Sequence, residues 1–213
     1  MDFSDAQRSD VLMNSVIVQL VQVMMILCIW KYAYSYEGFA IKPVETLDMM
    51  IARFIASAFM HINVEKDVRA GISMMKYAVN HYENFTNPYP PFFLGLMGTI
   101  ISFIVEINVM IILSSMGDVL SVINKYVSLA AIVNIPRFYY NSLVDHRITS
   151  CNTVKLDVTK FRRDNHLKDA HWTIRVERVI YKSIRMLFCA VSFYFMPFIA
   201  ICLNFQFMVS YSE

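Results

Sequence analysis

The chain has 213 residues, of which 57% are hydrophobic and only 17% are charged. This composition is too apolar for an ordinary soluble domain and is typical of an integral membrane protein. The formal charge of +2 is too small to indicate nucleic acid as a partner, so the placement of charge along the chain is more informative than its sum.

The first apolar segment covers residues 11–30 and contains no charged side chain. Its length suits a helix that crosses the ~30 Å hydrocarbon layer of a bilayer. Ser15, Gln19 and Gln22 are spaced by four and then three residues, which puts them on one helix face. Lipid offers amides no hydrogen bonds, so we expect this face to pack against other helices, with a pore lining as the alternative.

Residues 31–91 carry six basic side chains and are predicted to form a cytoplasmic segment. Apolar residues at helical spacing predict one long amphipathic helix, or a helical hairpin that bends near Asn63. The helix would lie at the membrane surface or pack on another subunit, and packing on the protein's own bundle is the alternative. The apolar positions are Leu47, Met50, Ile51, Phe54, Ile55 and Ala58, followed by Val64, Val68, Ile72, Met75, Val79 and Tyr82.

Residues 92–116 form the most apolar stretch of the chain and contain one ionisable side chain, Glu106. The next apolar segment, residues 119–136, is shorter and contains Lys125. If the two helices form a hairpin that turns at Gly117, both charges lie well inside the bilayer, at depths of roughly 16 and 12 Å. We therefore predict an ion pair between them that fixes the register of the two helices.

Two alternatives to this ion pair remain open. Glu106 could line a water-filled path together with Asn108, Gln19 and Gln22, or Lys125 could extend along its helix toward the lipid headgroups. The small residues Gly95, Gly98, Thr99 and Ser102 give the second apolar helix a face suited to close helix packing.

The stretch from Lys125 to Tyr140 resembles a motif of uncharacterised multi-pass membrane proteins from ciliates and other protists. In that motif, Asn-Phe-x-Ala-Leu-x-x-Ile-x-Glu-Ile-Asp precedes an aromatic pair. This chain matches at Tyr126, Leu129, Ile132, Ile135 and the aromatic residues after Pro136, and it departs at Lys125, Asn134 and Pro136. The departures remove the acidic pair of the motif. The resemblance implies a membrane protein of protist type and no particular activity.

Residues 137–185 contain eleven basic and five acidic side chains and are predicted to be a second cytoplasmic segment. Residues 154–158 suggest a short strand, and residues 172–186 suggest a helix that leads into the last span. Basic side chains here would be attracted to anionic lipid headgroups, at about 1 kcal/mol for each one near the surface. The candidates are Arg162, Arg163, Arg175, Arg178, Lys182 and Arg185.

The last apolar segment, residues 186–208, has no charge and contains Pro197. Proline in a helix interior removes one backbone hydrogen bond, so we expect a kink whose freed carbonyl is bonded by neighbouring helices or by Ser192. His166 and His171 are the closest approach to a metal-ligand cluster, but their spacing does not stack them on one helix face. The sequence therefore predicts no enzyme, no metal and no cofactor.

The sequence as a whole predicts an all-α polytopic membrane protein with four transmembrane helices, amphipathic cytoplasmic helices and both termini outside. We expect the chain to be a non-catalytic subunit of a larger membrane assembly, in contact with lipids and with other subunits or further copies of itself. The alternative is a small homo-oligomeric ion channel or transporter with a polar path near Glu106. The single membrane domain, residues 1–213, has spans at 11–30, 92–116, 119–136 and 186–208 and cytoplasmic segments at 31–91 and 137–185.

Overall fold

The computed structural model of the protein describes residues 5–36, 42, 46–142 and 171–199. Within these ranges helix is the only regular structure, and four helices are long and apolar enough to cross a membrane. The chain is therefore an all-α polytopic protein, as predicted. The main helices are α1 (Asp5–Tyr36), α2 (Leu47–Asn80), α3 (Tyr89–Ser115), α4 (Val119–Val133), α5 (Ile135–Ser142) and α6 (Trp172–Ile199).

Residues with capping preferences set several helix ends. Thr46 caps α2 by accepting a hydrogen bond from the backbone N–H of Met49. Asp118 caps α4 in the same way, and its carboxylate lies 2.8 Å from the backbone nitrogen of Ser121. The first turn of α3 holds two prolines, which suit this position because the first N–H groups of a helix have no partner within it.

The four membrane-length helices are α1, α2, α3 and α6, whereas α4 has 15 residues. A helix of that length spans only about 22 Å, less than the hydrocarbon thickness. The segment predicted to span at 119–136 is thus a short helix followed, after Asn134, by α5. The predicted strand at 154–158 lies outside the described residues. The predicted span at 186–208 is described only as far as residue 199.

Helix α2 is one continuous helix, and α3 is its main partner. The two helices run antiparallel, because Gly71 lies against Gly95, His61 contacts Glu106, and Arg53 reaches the carbonyl of Met116. The sequence left open whether this helix lies at the membrane surface, packs on another subunit or packs on the protein's own bundle, and the structure has it packed on the bundle. It is the single long helix and not the hairpin that bends near Asn63.

The ends of the helices alternate along the chain. His61 and Phe54 of α2 contact Phe193 and Phe198 of α6, so these two helices are also antiparallel. Because α2 adds a pass through the bundle, α1 begins at one end of the bundle and α6 reaches Ile199 at the other. The sequence predicts both termini on one side, but residues 1–4 and 200–213 lie outside the described residues, and only the described ends, Asp5 and Ile199, lie at opposite ends of the bundle.

The N-terminal half of α2 turns its polar face inward. Leu47, Ile51 and Ile55, which were expected to form a packing stripe, are exposed, whereas the buried residues nearby include Arg53 and His61. In a membrane an apolar face can contact lipid, whereas polar side chains need partners inside the protein. The second half of α2 has its predicted apolar stripe buried, namely Val64, Val68, Ile72, Met75 and Val79.

Two glycines let the backbones of α2 and α3 approach closely. A Cβ atom at Gly71 would lie 2.3 Å from the Thr99 hydroxyl and 2.7 Å from the Gly95 carbonyl oxygen. A Cβ atom at Gly95 would lie 2.8 Å from the carbonyl oxygen of Gly71. Only glycine fits at these two positions, and the resulting contact sets the distance between the helices.

Candidate functional site

A buried ionisable pair lies between α2 and α3. The Nδ1 atom of His61 is in hydrogen-bonding contact with the Oε1 atom of Glu106. The exposed fractions of these residues are 5% and 1%. Ionisable groups buried at membrane depth are costly unless they are paired, so the pair is the strongest candidate for a functional site in the described residues.

Helix α6 completes this site through a backbone carbonyl. Pro197 has no N–H, so the carbonyl of Phe193, four residues earlier, lacks its usual helical donor. The Nε2 atom of His61 lies 3.1 Å from that oxygen and donates to it. The expectation that a neighbouring helix bonds the freed carbonyl is thus confirmed, and the donor is His61.

The same part of α6 departs from α-helical geometry. Residues Phe188–Ser192 form a π-helical turn directly before Phe193. Single π turns in membrane helices occur often at functional sites. The His61 and Phe193 rings also pack together, with centroids 6.0 Å apart. The pair therefore contacts the irregular segment of α6.

Two serines near the pair differ from the other buried hydroxyls. Thr99 and Ser114 each donate to a carbonyl one turn earlier in their own helix, at 2.8 Å. Ser57, four residues before His61, and Ser192, next to Phe193, are buried and make no hydrogen bond to the residues that the structure describes. The neighbourhood of the pair thus retains unused polar groups on both α2 and α6.

Lys125 is not the partner of Glu106, so the predicted ion pair is wrong. The half-buried ammonium of Lys125 lies 5.6 Å from the centre of the Tyr32 ring on α1. Equal depth in the membrane does not bring two side chains together, because each helix is also rotated about its axis. Helix α3 turns Glu106 toward α2, whereas α4 turns Lys125 toward α1. The sequence signal that was missed is His61, an ionisable residue on the inward face of α2.

The remaining predicted polar residues bond to backbone carbonyls. The amide of Gln19 donates to Leu94 of α3 and the amide of Gln22 to Ile132 of α4, both at 3.5 Å. Asn108 donates to Ile104 in its own helix at 2.8 Å. These amides connect α1 to the bundle or complete a helix turn.

Asn108 also lines an apolar crevice of about 210 Å³ between α1 and α3. Its other walls are Val23, Ile26, Leu27, Trp30, Ile101 and Ile104. Such a lining is suited to an acyl chain or an apolar side chain and gives no set of polar groups for an ion.

A second buried charge, Arg53, lies at the end of α3. Its two terminal nitrogens each lie 3.1 Å from the carbonyl oxygen of Lys42, and one of them also donates to the carbonyl of Met116. The last carbonyls of a helix have no internal donors and lie at the negative end of its dipole. Arg53 therefore stabilises the end of α3.

The predicted lipid-headgroup residues fall into two groups. Arg162 and Arg163 lie outside the described residues. The other four, Arg175, Arg178, Lys182 and Arg185, follow one another at spacings of three and four in α6, and three of them are exposed. They share one face of its first turns.

At the α3–α4 turn, a hydrogen bond from Ser121 lowers the pKa of the Asp118 carboxyl below its usual value.

No group of three or more His, Cys, Asp or Glu side chains suited to a metal ion occurs within the described ranges. His171 accepts a hydrogen bond from the backbone of Thr173 at the start of α6, and His166 lies outside those ranges.

The fold and site define a polytopic helical membrane protein with a buried ionisable pair. Comparisons with protein-family models, with curated proteins and with solved structures give no match. The resemblance to multi-pass membrane proteins of ciliates and other protists stays a prediction.

Proposed function

We propose that this chain is a non-catalytic integral membrane subunit that packs against other proteins of a membrane assembly. The observation that carries the proposal is that three of the four predicted path residues bond to backbone carbonyls and the fourth bonds to a side chain of α2. Gln19 and Gln22 bond to neighbouring helices, Asn108 bonds to its own helix, and Glu106 bonds to His61. These contacts use the polar groups for helix packing.

The outer helices support this proposal. Only 17% of the apolar windows of α1 and α6 is buried, against 50% for α3. Both helices therefore offer long apolar faces to lipid or to partner helices. The proposal requires that helices of partner proteins pack against part of this surface.

Charge supports one orientation in the membrane. Helix α6 starts at the end of the bundle where α1 begins, and residues 143–170, which precede it in the sequence, contain six Lys and Arg residues. Basic residues accumulate on the cytoplasmic side, so we place that end, with the N-terminus, in the cytoplasm and the end of α6 on the other side. The basic face of α6 would then contact lipid headgroups.

Purification from native membranes after mild crosslinking tests the subunit proposal. We expect the chain to copurify with other membrane proteins at a fixed stoichiometry, as measured by native mass spectrometry. A chain that is recovered only alone, or only with further copies of itself, contradicts the proposal.

A second candidate function is a proton or ion path through the bundle. It is favoured by one specific observation, the contact of the buried pair with the π-helical and proline-interrupted part of α6, beside the unbonded hydroxyls of Ser57 and Ser192. Interrupted helices next to ionisable residues are common at the binding sites of transporters. Ion flux in vesicles containing only this chain, lost with Glu106→Gln, would support this function, and absence of flux would exclude it.

A further inference from the structure

We propose that His61 and Glu106 form a proton-binding site, and that the bound proton holds α6 against α2. The site consists of three groups on three helices: the Glu106 carboxyl, the His61 imidazole and the Phe193 carbonyl. The inference concerns how the bundle responds to proton loss, and it does not depend on whether the chain is a subunit or a transporter.

The geometry determines how many protons the site holds. A carbonyl oxygen only accepts hydrogen bonds, so the Nε2 atom of His61 must carry a proton to bond Phe193. The Nδ1 atom faces the carboxyl of Glu106, and that contact also needs a proton between its two atoms. This second proton resides either on the imidazole, giving an ion pair, or on the carboxyl, giving two neutral groups. In both cases the pair has no net charge.

Loss of this second proton must break one of the two hydrogen bonds. A neutral imidazole has a single N–H, whereas the ionised carboxyl and the Phe193 carbonyl are both acceptors. A buried carboxylate without a donor is far more costly than a buried carbonyl without one. The remaining N–H of His61 therefore goes to Glu106, and the carbonyl of Phe193 loses its donor.

The regular backbone pattern of α6 cannot replace that bond. Pro197 removes the helical donor, and the preceding π turn removes the regular backbone pattern. A carbonyl left unpaired at membrane depth favours any movement of α6 that gives it a new donor. Proton release thus leads to displacement or rewinding of α6 around Phe193.

Other charges near the pair are accounted for within the described residues. Glu65, one turn after His61, pairs with Arg69, whose guanidinium also lies 5.3 Å from the centre of the Phe193 ring. On α2, Arg53 bonds the end of α3. On α4, Lys125 lies on the Tyr32 ring. The basic face of α6 ends at Arg185, eight residues before Phe193, and α3 carries no second acidic or basic side chain.

Spin-label distances in lipid nanodiscs test the inference on the full chain. Nitroxide labels would be placed at Ile100 of α3 and Tyr194 of α6, which are exposed, after the four cysteines are replaced by serine. We expect the distance between the labels to shift as the pH rises from about 5 to about 10, because release of the shared proton takes the donor away from the Phe193 carbonyl.

Glu106→Gln provides the decisive variant. In the neutral imidazole the glutamine amide donates to Nδ1 of His61, and in the protonated imidazole the glutamine oxygen accepts from Nδ1. In both states Nε2 keeps its proton for Phe193. The distance in this variant should stay at the low-pH value throughout the range. Glu65→Gln, which removes a carboxyl one turn away, should shift as the unaltered chain does.

Two results would overturn the inference. One is an unaltered chain whose distance stays constant over the whole pH range. The other is a Glu106→Gln variant that shifts as the unaltered chain does. The first result needs no substitution in the pair, so the test holds even if the variant folds poorly.

Discussion

The interface between α2 and α3 differs from the interface that attaches α1 to the bundle. Between α2 and α3 the backbones touch at Gly71 and Gly95, and a buried ionisable pair lies at the centre. Helix α1 is attached by two long amide hydrogen bonds and leaves an apolar crevice of about 210 Å³ beside α3. Of α1 and α2, the more polar helix is therefore the more buried one.

In a membrane, hydrophobicity alone does not decide which face of a helix turns inward. In water an apolar face is driven inward, whereas in lipid it can remain outside at no cost. Polar groups supply much of the specificity between membrane helices, because each needs a partner. Helix α2, with Arg53 and His61 inside and Ile51 and Ile55 outside, follows this rule.

The largest effect should come from breaking the pair. His61→Leu leaves Glu106 buried without its partner and Phe193 without its donor, and removing one member of a buried pair costs about 3–5 kcal/mol. The free energy of unfolding in mixed detergent micelles would measure this. His171→Leu, at an exposed cap of α6, should cost less than about 1 kcal/mol. Equal effects of the two substitutions would contradict a central role for the pair.

Gly71→Ala and Gly98→Ala compare the two interfaces directly. At Gly71 a methyl group would overlap Thr99 and the Gly95 carbonyl, so we expect a loss of about 1–3 kcal/mol in unfolding free energy. At Gly98 the nearest atom is the flexible amide of Gln19 at 3.4 Å. That substitution should be neutral or slightly stabilising, because alanine favours helix over glycine. The opposite order would show that the α2–α3 contact is not the tighter one.

Much of the fold can be predicted from the sequence, but the site cannot. The spans at 11–30 and 92–116 agree with Leu12–Tyr32 and Tyr89–Ser115, because uninterrupted apolar length is a local property. The path of α2 was not predicted, because the mean hydropathy of its apolar window is only 1.3, against 2.3 for α3. Their partners lie 45 residues away for His61 and 63 for Arg53, and only the fold brings them together.

Gln22→Met should have a smaller effect, at the α1 interface. The buried amide of Gln22 bonds the carbonyl of Ile132 across 3.5 Å, and hydrogen bonds between membrane helices contribute about 0.6 kcal/mol on average. Unfolding in detergent should show a loss of that order. Met24→Leu, two residues away on the exposed face, is the matched control and should show none. A loss as large as that of Gly71→Ala would remove the contrast between the interfaces.

The smallest effect concerns the turn that ends the α2–α3 interface. Because the pKa of Asp118 is lowered in the folded protein, its capping contribution is complete above about pH 4 and is lost as the pH falls through the lower folded value. Thermal unfolding at a series of acidic pH values would measure this loss. Asp118→Asn, which still caps but does not ionise, should lack this component of the pH dependence. If Asp118→Asn and the unaltered chain lost stability in the same way at acidic pH, Asp118 would not be the group responsible.

The short connection between α2 and α3 has a consequence for biosynthesis. A translocon that tested α2 alone would meet a segment whose charged side chains each oppose insertion by about 2.5–3.5 kcal/mol near its centre. Helix α3 follows within nine residues of Asn80 and carries the partner of His61. We therefore expect the two helices to leave the translocon together as a hairpin, so that a ribosome paused before α3 is synthesised would leave α2 outside the bilayer.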